Sequence, residues 1–307
     1  MDYPYYYSAN EYYRKFFGRK AYRLSLNGGM TCPNRDGTVG RGGCIFCSEG
    51  GSGDFAEPAI MPVHEQISAA ISHVPERYRC SSFIAYFQAF SNTYAPVSYL
   101  DKIFSEAAKD PRISGIIIAT RPDCLPDDVI ALIKDLSHKK PLWIELGLQT
   151  INDTTAALIN RGYKLEVFEE ALSKLNAIDV PVTVHTIIGL PGENSGDYMS
   201  CAEYLAGKNI HGIKLQLLHV LKGTGLETLY ANGSFNVLTL DEYVQNIVNI
   251  LEILPPDMVI YRLTGDGPKN MLIAPKWSAD KKNVLNSIIK ELRLRNTYQG
   301  KEYSKWH

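Results

Sequence analysis

Cysteine is scarce in this chain, with six residues (Cys32, Cys44, Cys47, Cys80, Cys124 and Cys201) among 307. That density is too low for a disulfide scaffold, so these thiols are expected to bind metal, react or pack. Long apolar runs are missing as well. Nothing approaches the roughly 20 residues that cross a bilayer, and the tyrosine-rich start (Tyr3, Tyr5, Tyr6, Tyr7, Tyr12, Tyr13) lacks the apolar segment of a signal peptide. The expectation is a cytoplasmic protein without a membrane partner. There is no excess of either charge, the net value being -1, and hence no global pull toward polyanions. Internal repeats and low-complexity linkers are absent too. A hydrophobic fraction of 45% with 21% charged residues argues for a large packed core and against disorder.

What is present is an alternation of apolar, β-branched runs with amphipathic stretches, the pattern of βα units. The runs lie at 22–27, 82–89, 115–120, 142–148, 180–188 and 212–220, with helical patterns at 62–78, 98–109, 125–138, 164–178 and 195–207. A later run at 258–264 suggests a seventh strand, followed by a helix over 279–295. Six βα units build either a doubly wound sheet or an incomplete barrel, and in both the chemistry gathers at the C-terminal ends of the strands. The longest connection, 28–61, follows the first strand, and unusually long loops tend to be functional.

Within that loop Cys32, Cys44 and Cys47 are spaced C-x11-C-x2-C among many glycines, which let backbone wrap closely around a bulky inorganic group. Three thiolates suit three irons of a [4Fe-4S] cubane and leave one iron open. A structural zinc site wants a fourth Cys or His, yet no histidine precedes His64 and the next cysteine is Cys80. A zinc-stabilised nucleic-acid-binding module nevertheless stays open as the non-enzymatic reading, and buried or incidental thiols as the bland one. Cys80, Cys124 and Cys201 are too scattered for a second cluster. Cys124, Thr120, His185, Lys214 and His219 fall near strand ends; Cys124 is a candidate catalytic thiol against a background expectation of packing. Basic residues collect at both ends (Arg14, Lys15, Arg19, Lys20, Arg23, and eight Lys/Arg against three acids from Lys276 onward), which fits either a polyanion surface or solvated helix faces.

Read together, Cys32-Pro-Asn-Arg-Asp-Gly, Gly50-Gly-Ser-Gly-Asp-Phe, Tyr86-Phe-Gln, Ser91-Asn-Thr-Tyr, Thr120-Arg-Pro-Asp, Glu145-Leu-Gly-Leu-Gln, Asn160-Arg-Gly and Gly189-Leu-Pro-Gly-Glu resemble the radical S-adenosylmethionine (SAM) superfamily. The resemblance runs from Phe17 to Tyr303 and is to the YhcC/YtqA-type branch, whose long first cysteine spacing this chain shares. That branch is related to the radical SAM subunit of Elongator and to oxygen-independent coproporphyrinogen oxidases. The resemblance implies an α/β fold, a partial (β/α)6 radical SAM barrel over 21–225 with the cluster loop at 28–61, a short N-terminal extension (1–20) and a C-terminal extension (226–307) packing on the barrel. It implies a [4Fe-4S] cluster on Cys32, Cys44 and Cys47 that cleaves SAM to a 5'-deoxyadenosyl radical. SAM would be held by Gln88, Asn92, Glu145, Gln149, Arg161 and the turn at Gly189, with Arg161 on the SAM carboxylate. His185 stands where the coproporphyrinogen oxidases carry an acid. A one-electron donor such as flavodoxin or ferredoxin is implied. The likeness to Elongator suggests a tRNA substrate modified at C5 of a wobble uridine, such as a carboxymethylaminomethyl group taken toward an aminomethyl one; the likeness to coproporphyrinogen oxidases suggests a small metabolite or a tetrapyrrole-like molecule.

Overall fold

The computed structural model describes residues 5–51, 58–78, 82–265 and 267–303. Cys80, Lys305, Tyr3 and positions 52–55 of the second glycine-rich motif lie outside them. Seven strands form one parallel sheet in sequential order: β1 (Ala21–Leu26), β2 (Ser82–Phe87), β3 (Ile113–Thr120), β4 (Leu142–Gln149), β5 (Val182–Ile188), β6 (Gly212–Leu217) and, after a short strand β7 (Val220–Leu221), β8 (Val259–Arg262). β7 pairs antiparallel with β9 (Leu272–Ala274) in a separate hairpin. The sheet curls into a half-barrel whose edge strands, β1 and β8, do not meet. Its seventh strand comes from the segment after residue 225, so that segment completes the sheet as well as packing on it.

Every strand has one face toward a helix layer. Leu24 and Leu26 on β1, Phe83, Ala85 and Phe87 on β2, and Leu142, Ile144, Leu146 and Leu148 on β4 all enter the largest core cluster. The covering helices are α2 (Val63–Ser72), α3 (Val97–Lys109), α4 (Asp127–Lys139), α6 (Leu165–Asn176), α7 (Ser195–Ala206) and α9 (Leu240–Ile253), with α10 (Lys281–Leu294) laid against α9. Two short helices, α5 (Asp153–Leu158) and α8 (Gly225–Ala231), sit in connections. Helix starts are set locally. Asn194 with Asp197, and Thr239 with Glu242, form reciprocal capping boxes that satisfy the first backbone N–H groups of α7 and α9.

The concave face is different. Its lower half is an aromatic plug delivered by α1 (Ala9–Phe17), which Ser8 caps and Gly18, at φ 68°, ends. Tyr13 packs with Ile84, Tyr86, Ile117, Trp143 and Tyr261, and Trp143 Nε1 donates to Tyr12 Oη at 3.0 Å. Tyr7 and Ser8 continue the plug along β8, where Ile260 N donates to Tyr7 O at 2.8 Å. Burying rings of this size contributes roughly 1.5–3 kcal/mol each. The N-terminal aromatics therefore close the barrel. The polar upper half of the same face carries the site.

Candidate functional site

The eleven residues between Cys32 and Cys44 form a tight excursion that returns the chain to its start. Cys32 O accepts from the backbone N–H groups of Arg35 and Asp36, a bridge joins Asp36 to Arg41, and Gly43 N donates to Asn34 O at 2.8 Å. Asn34 is fully buried at the centre. Its Nδ2 donates to Asn160 O and lies 3.7 Å from Cys44 Sγ. A Cβ on Gly40 would stand 2.3 Å from Asn34 Oδ1, which is why that position has no side chain. From the other side Asn160, at φ 54°, donates to Gly43 O, while Arg35 reaches the carbonyls of Ser48 and Glu49.

All three cysteines are free and half-buried. The Cys44 thiol is drawn down to about 7, first by its hydrogen bond with Cys47, then by the Arg121 and Arg35 guanidiniums and Asn34 against the opposing effect of burial. The Cys47 thiol moves up for the complementary reason, its pairing with Cys44 and its burial. Cys32 is raised by burial and senses the charge of Cys44. Among the described residues no three His, Cys, Asp or Glu side chains are grouped as ligands of a single ion. A cubane asks for a broader base than one zinc ion, and three neighbouring thiols with positive potential on them fit it. Cys32, Cys44 and Cys47 are the residues that would hold such a cluster.

Below Cys47 a cavity of about 350 Å³ opens into the half-barrel, lined by Arg23, Tyr86, Gln88, His185, Lys214 and Arg262 among others. Behind this wall lies Glu145, fully enclosed. Its Oε2 accepts from Tyr86 Oη at 2.5 Å, Lys214 Nζ at 2.5 Å and His185 Nε2 at 2.9 Å. Burial favours the acid form, but Lys214, His185 and Arg23 together outweigh it and hold Glu145 well below the usual carboxylate range. Burial pushes His185 down to about 4, so it is neutral.

The structure sorts the residues expected to meet SAM. Gln88 lines the cavity and donates to Ser25 Oγ at 3.3 Å. Asn92 ties the turn after β2 to Ala119 O, leaving its buried Oδ1 without a partner. Gln149 stands at the tip of β4 in the left-handed region, φ 65°, with its Oε1 accepting from Tyr163 Oη. Gly189, at φ 96°, makes the turn after β5.

Three placements differ from expectation. Glu145 belongs to the interior network rather than the rim. Arg161 has no surface exposure and spends its guanidinium on the carbonyls of Leu148, Thr150 and Tyr163 and on Asp153; it locks the turn after β4 instead of reaching outward to a carboxylate. Cys124, 3% exposed, does not line the cavity, and burial pushes its thiol up to about 12, which suits packing rather than hydrogen return. Asn34, Arg35 and Tyr86 entered the sequence reading only as members of the motifs beginning at Cys32 and Tyr86, with no role of their own.

A model of the radical SAM superfamily matches residues 32–205, more than half of the chain, and one of the radical SAM C-terminal domain matches 210–293. The chain belongs to the radical SAM superfamily. Among curated relatives, the uncharacterized protein YtqA of Bacillus subtilis is 44% identical over 300 residues, spanning 98% of this chain and 93% of the relative. Protein YhcC of Escherichia coli K12 is 34% identical over 265 residues, 85% of this chain and 84% of the relative. Among solved structures, the archaeal Elp3 of Methanocaldococcus infernus, lacking residues 1–46, shares the fold at a TM-score of 0.69 and 16% identity, over 93% of this chain and 67% of that one.

As a radical SAM enzyme the protein uses a [4Fe-4S] cluster and SAM and needs a reductant. The bound cluster supplies the single electron that cleaves SAM. What this chain adds is position: a cysteine loop clamped by Asn34 and Asn160 above, and a cavity with a polar wall and a closed base beneath. An enclosure of this kind is suited to orienting a substrate and shielding a reacting centre from water. Family membership leaves the zinc-binding-module reading without support. No helix among the described residues is long and apolar enough to cross a membrane.

Proposed function

We propose that this enzyme holds its cluster on Cys32, Cys44 and Cys47, binds SAM across the strand tips with Gln88, Asn92 and Gln149, and uses the resulting 5'-deoxyadenosyl radical to modify tRNA at the C5 substituent of a wobble uridine. The observation that carries the reading is the meeting of the cysteine loop and the polar cavity at Cys47. A base flipped from an RNA loop is the kind of group such a recess receives. Basic side chains flank the opening: exposed Lys222 and Lys269 adjoin cavity-lining Leu221 and Pro268, and Arg41 is exposed on the cysteine loop. Sequence similarity to Elongator complex protein 3 of Schizosaccharomyces pombe, 29% over 201 residues, is what motivates this substrate class, and the fold shared with archaeal Elp3 is compatible with it. On this reading the barrel and the segments around it work as one unit, with the 226–307 segment forming part of the rim.

The cavity's modest volume also suits a small metabolite, the second reading, because pockets of about 300–1,000 Å³ take ligands of that size. Titrating the reconstituted protein with tRNA at several salt concentrations separates the two. We expect tight binding at low salt with a steep decline as salt rises, and altered wobble-uridine nucleosides when the gene is deleted. Absence of binding at low salt, with unchanged nucleosides, moves the assignment to the small metabolite.

A further inference from the structure

The described residues lining the cavity include no carboxylate, yet three strands send a cation into it: Arg23 from β1, Lys214 from β6 and Arg262 from β8. Glu145, behind the wall, is within 2.5 Å of Lys214 and is fully engaged with it and with Tyr86 and His185 on its Oε2 side. The charge of Glu145 reaches Arg23 as well, without a hydrogen bond between them, and its Oε1 is buried with no hydrogen-bond partner. The Arg23 and Arg262 guanidiniums are close enough that the charge of Arg23 bears on Arg262. Arg262 Nη1 donates to Gln216 Oε1 at 3.2 Å. Arg23 leans over the Tyr86 ring, 5.6 Å from its centroid, and its Nη1 is shut off from solvent with no hydrogen-bond partner. A guanidinium N–H left unmatched in such a place is costly, because the group has given up water for nothing. An acceptor that arrives with the ligand resolves that cost.

Register fixes where the acceptor would sit. Arg23 pairs with Ile84, one pleat below Ser25 and Tyr86, and so lies deeper than Gln88 and far below the strand tips where SAM is placed above. Below it begins the aromatic plug, with Tyr13 near enough to feel its charge. The position is therefore the floor of the cavity, reached only by the part of a ligand that enters first.

We infer that the substrate of this enzyme carries a carboxylate or phosphate, which the Arg23 guanidinium receives at the cavity floor. The inference rests on the reading of this cavity as the substrate site and gives it a substrate class: an anionic one. In the wobble-uridine reading the carboxylate of a C5 carboxymethyl-type substituent fills the role; a phosphate ester of a small metabolite is the other source of the same chemistry. Planar two-point pairing with either group is what a guanidinium supplies and an ammonium does not.

The test is calorimetric and needs no turnover. The reconstituted, anaerobic holoprotein is titrated with 5-carboxymethyluridine, with its uncharged methyl ester and with inorganic phosphate, for wild type, Arg23→Met, Arg23→Gln and Arg23→Lys. SAM affinity and tRNA binding are measured separately on each. We expect wild type to bind at least one of the two anions in preference to the ester. Losing a charge-assisted bond should weaken that binding by about tenfold or more in Arg23→Met and Arg23→Gln, with partial retention in Arg23→Lys and no change for the ester or for SAM. Preference for the nucleoside identifies a carboxylate, preference for phosphate a phosphate ester. If neither anion outcompetes the ester, or the folded Arg23 variants bind the anion as wild type does, the inference is wrong. It is equally wrong if the Arg23 variants lose SAM instead, since the guanidinium then serves the cofactor. Anion binding that depends on Arg23 in a protein indifferent to tRNA keeps this inference and removes the RNA from the proposal above.

Discussion

Glu145 and Lys214 form an ion pair with almost no exposure of either side chain, and the pair is bound into both neighbours, Tyr86 and His185. Such a pair is worth little compared with apolar residues, but breaking it strands a buried charge. Lys214→Met should therefore destabilise the fold by about 3–5 kcal/mol in urea unfolding, and adding Glu145→Leu should recover most of the loss. A single variant within about 1 kcal/mol of wild type would show that water reaches the pair. Three histidines make a second prediction. His185, His211 and His219 are each pushed down to about 4 by burial. Between that value and the ordinary value near 6.5 the unfolded chain binds protons that the native chain does not, so stability rises with pH through this window and falls on acidification. The urea midpoint should drop steadily from about pH 6.5 to about pH 4, and His211→Gln should flatten the decline; a flat profile in wild type would mean that these rings are protonated in the native state. His211 is the ring to replace because it packs on Tyr12 in the plug, away from the cysteines.

At the scale of elements, the cysteine loop is a small fold of its own, and its glycine at position 40 is there to admit Asn34. Gly40→Ala should push Asn34 off Asn160 and Cys44; the reconstituted protein should then hold several-fold less iron while the half-barrel melts near the wild-type temperature. Full iron in that variant would show that the hairpin tolerates a shifted Asn34. How much of this was legible follows from which partners are local. The six parallel strands were readable because burial on both faces makes them near-continuous apolar runs, as in β3, and the helices between them because their apolar spacing is regular. The seventh strand announced itself as an apolar run, but α9 and α1 were passed over, although α9 carries a capping box and α1 a capping serine. Aromatic content in α1 says nothing about what the rings face, and Trp143 lies 131 residues from Tyr12. Arg161 failed for the same reason: its motif was plain, yet only the folded turn after β4 shows its guanidinium pointing inward. Cys124 sits close to the end of a strand in sequence, but in space it lines a different recess, between the turn after β2 and α6.

The whole molecule is a half-barrel stopped at one end by its own N-terminal helix and met at the other by the cysteine loop at Cys47, with a recess between whose described lining holds three cations and no carboxylate. On the proposal above the cysteines carry redox chemistry over the recess, and that claim is open to direct test. Anaerobic reconstitution with iron and sulfide, followed by a SAM cleavage assay with dithionite, should give wild-type protein with about four irons per chain, cluster absorbance and 5'-deoxyadenosine, all of which disappear in Cys44→Ala. Zinc in place of iron, or SAM cleavage that survives the loss of Cys44, would contradict the account.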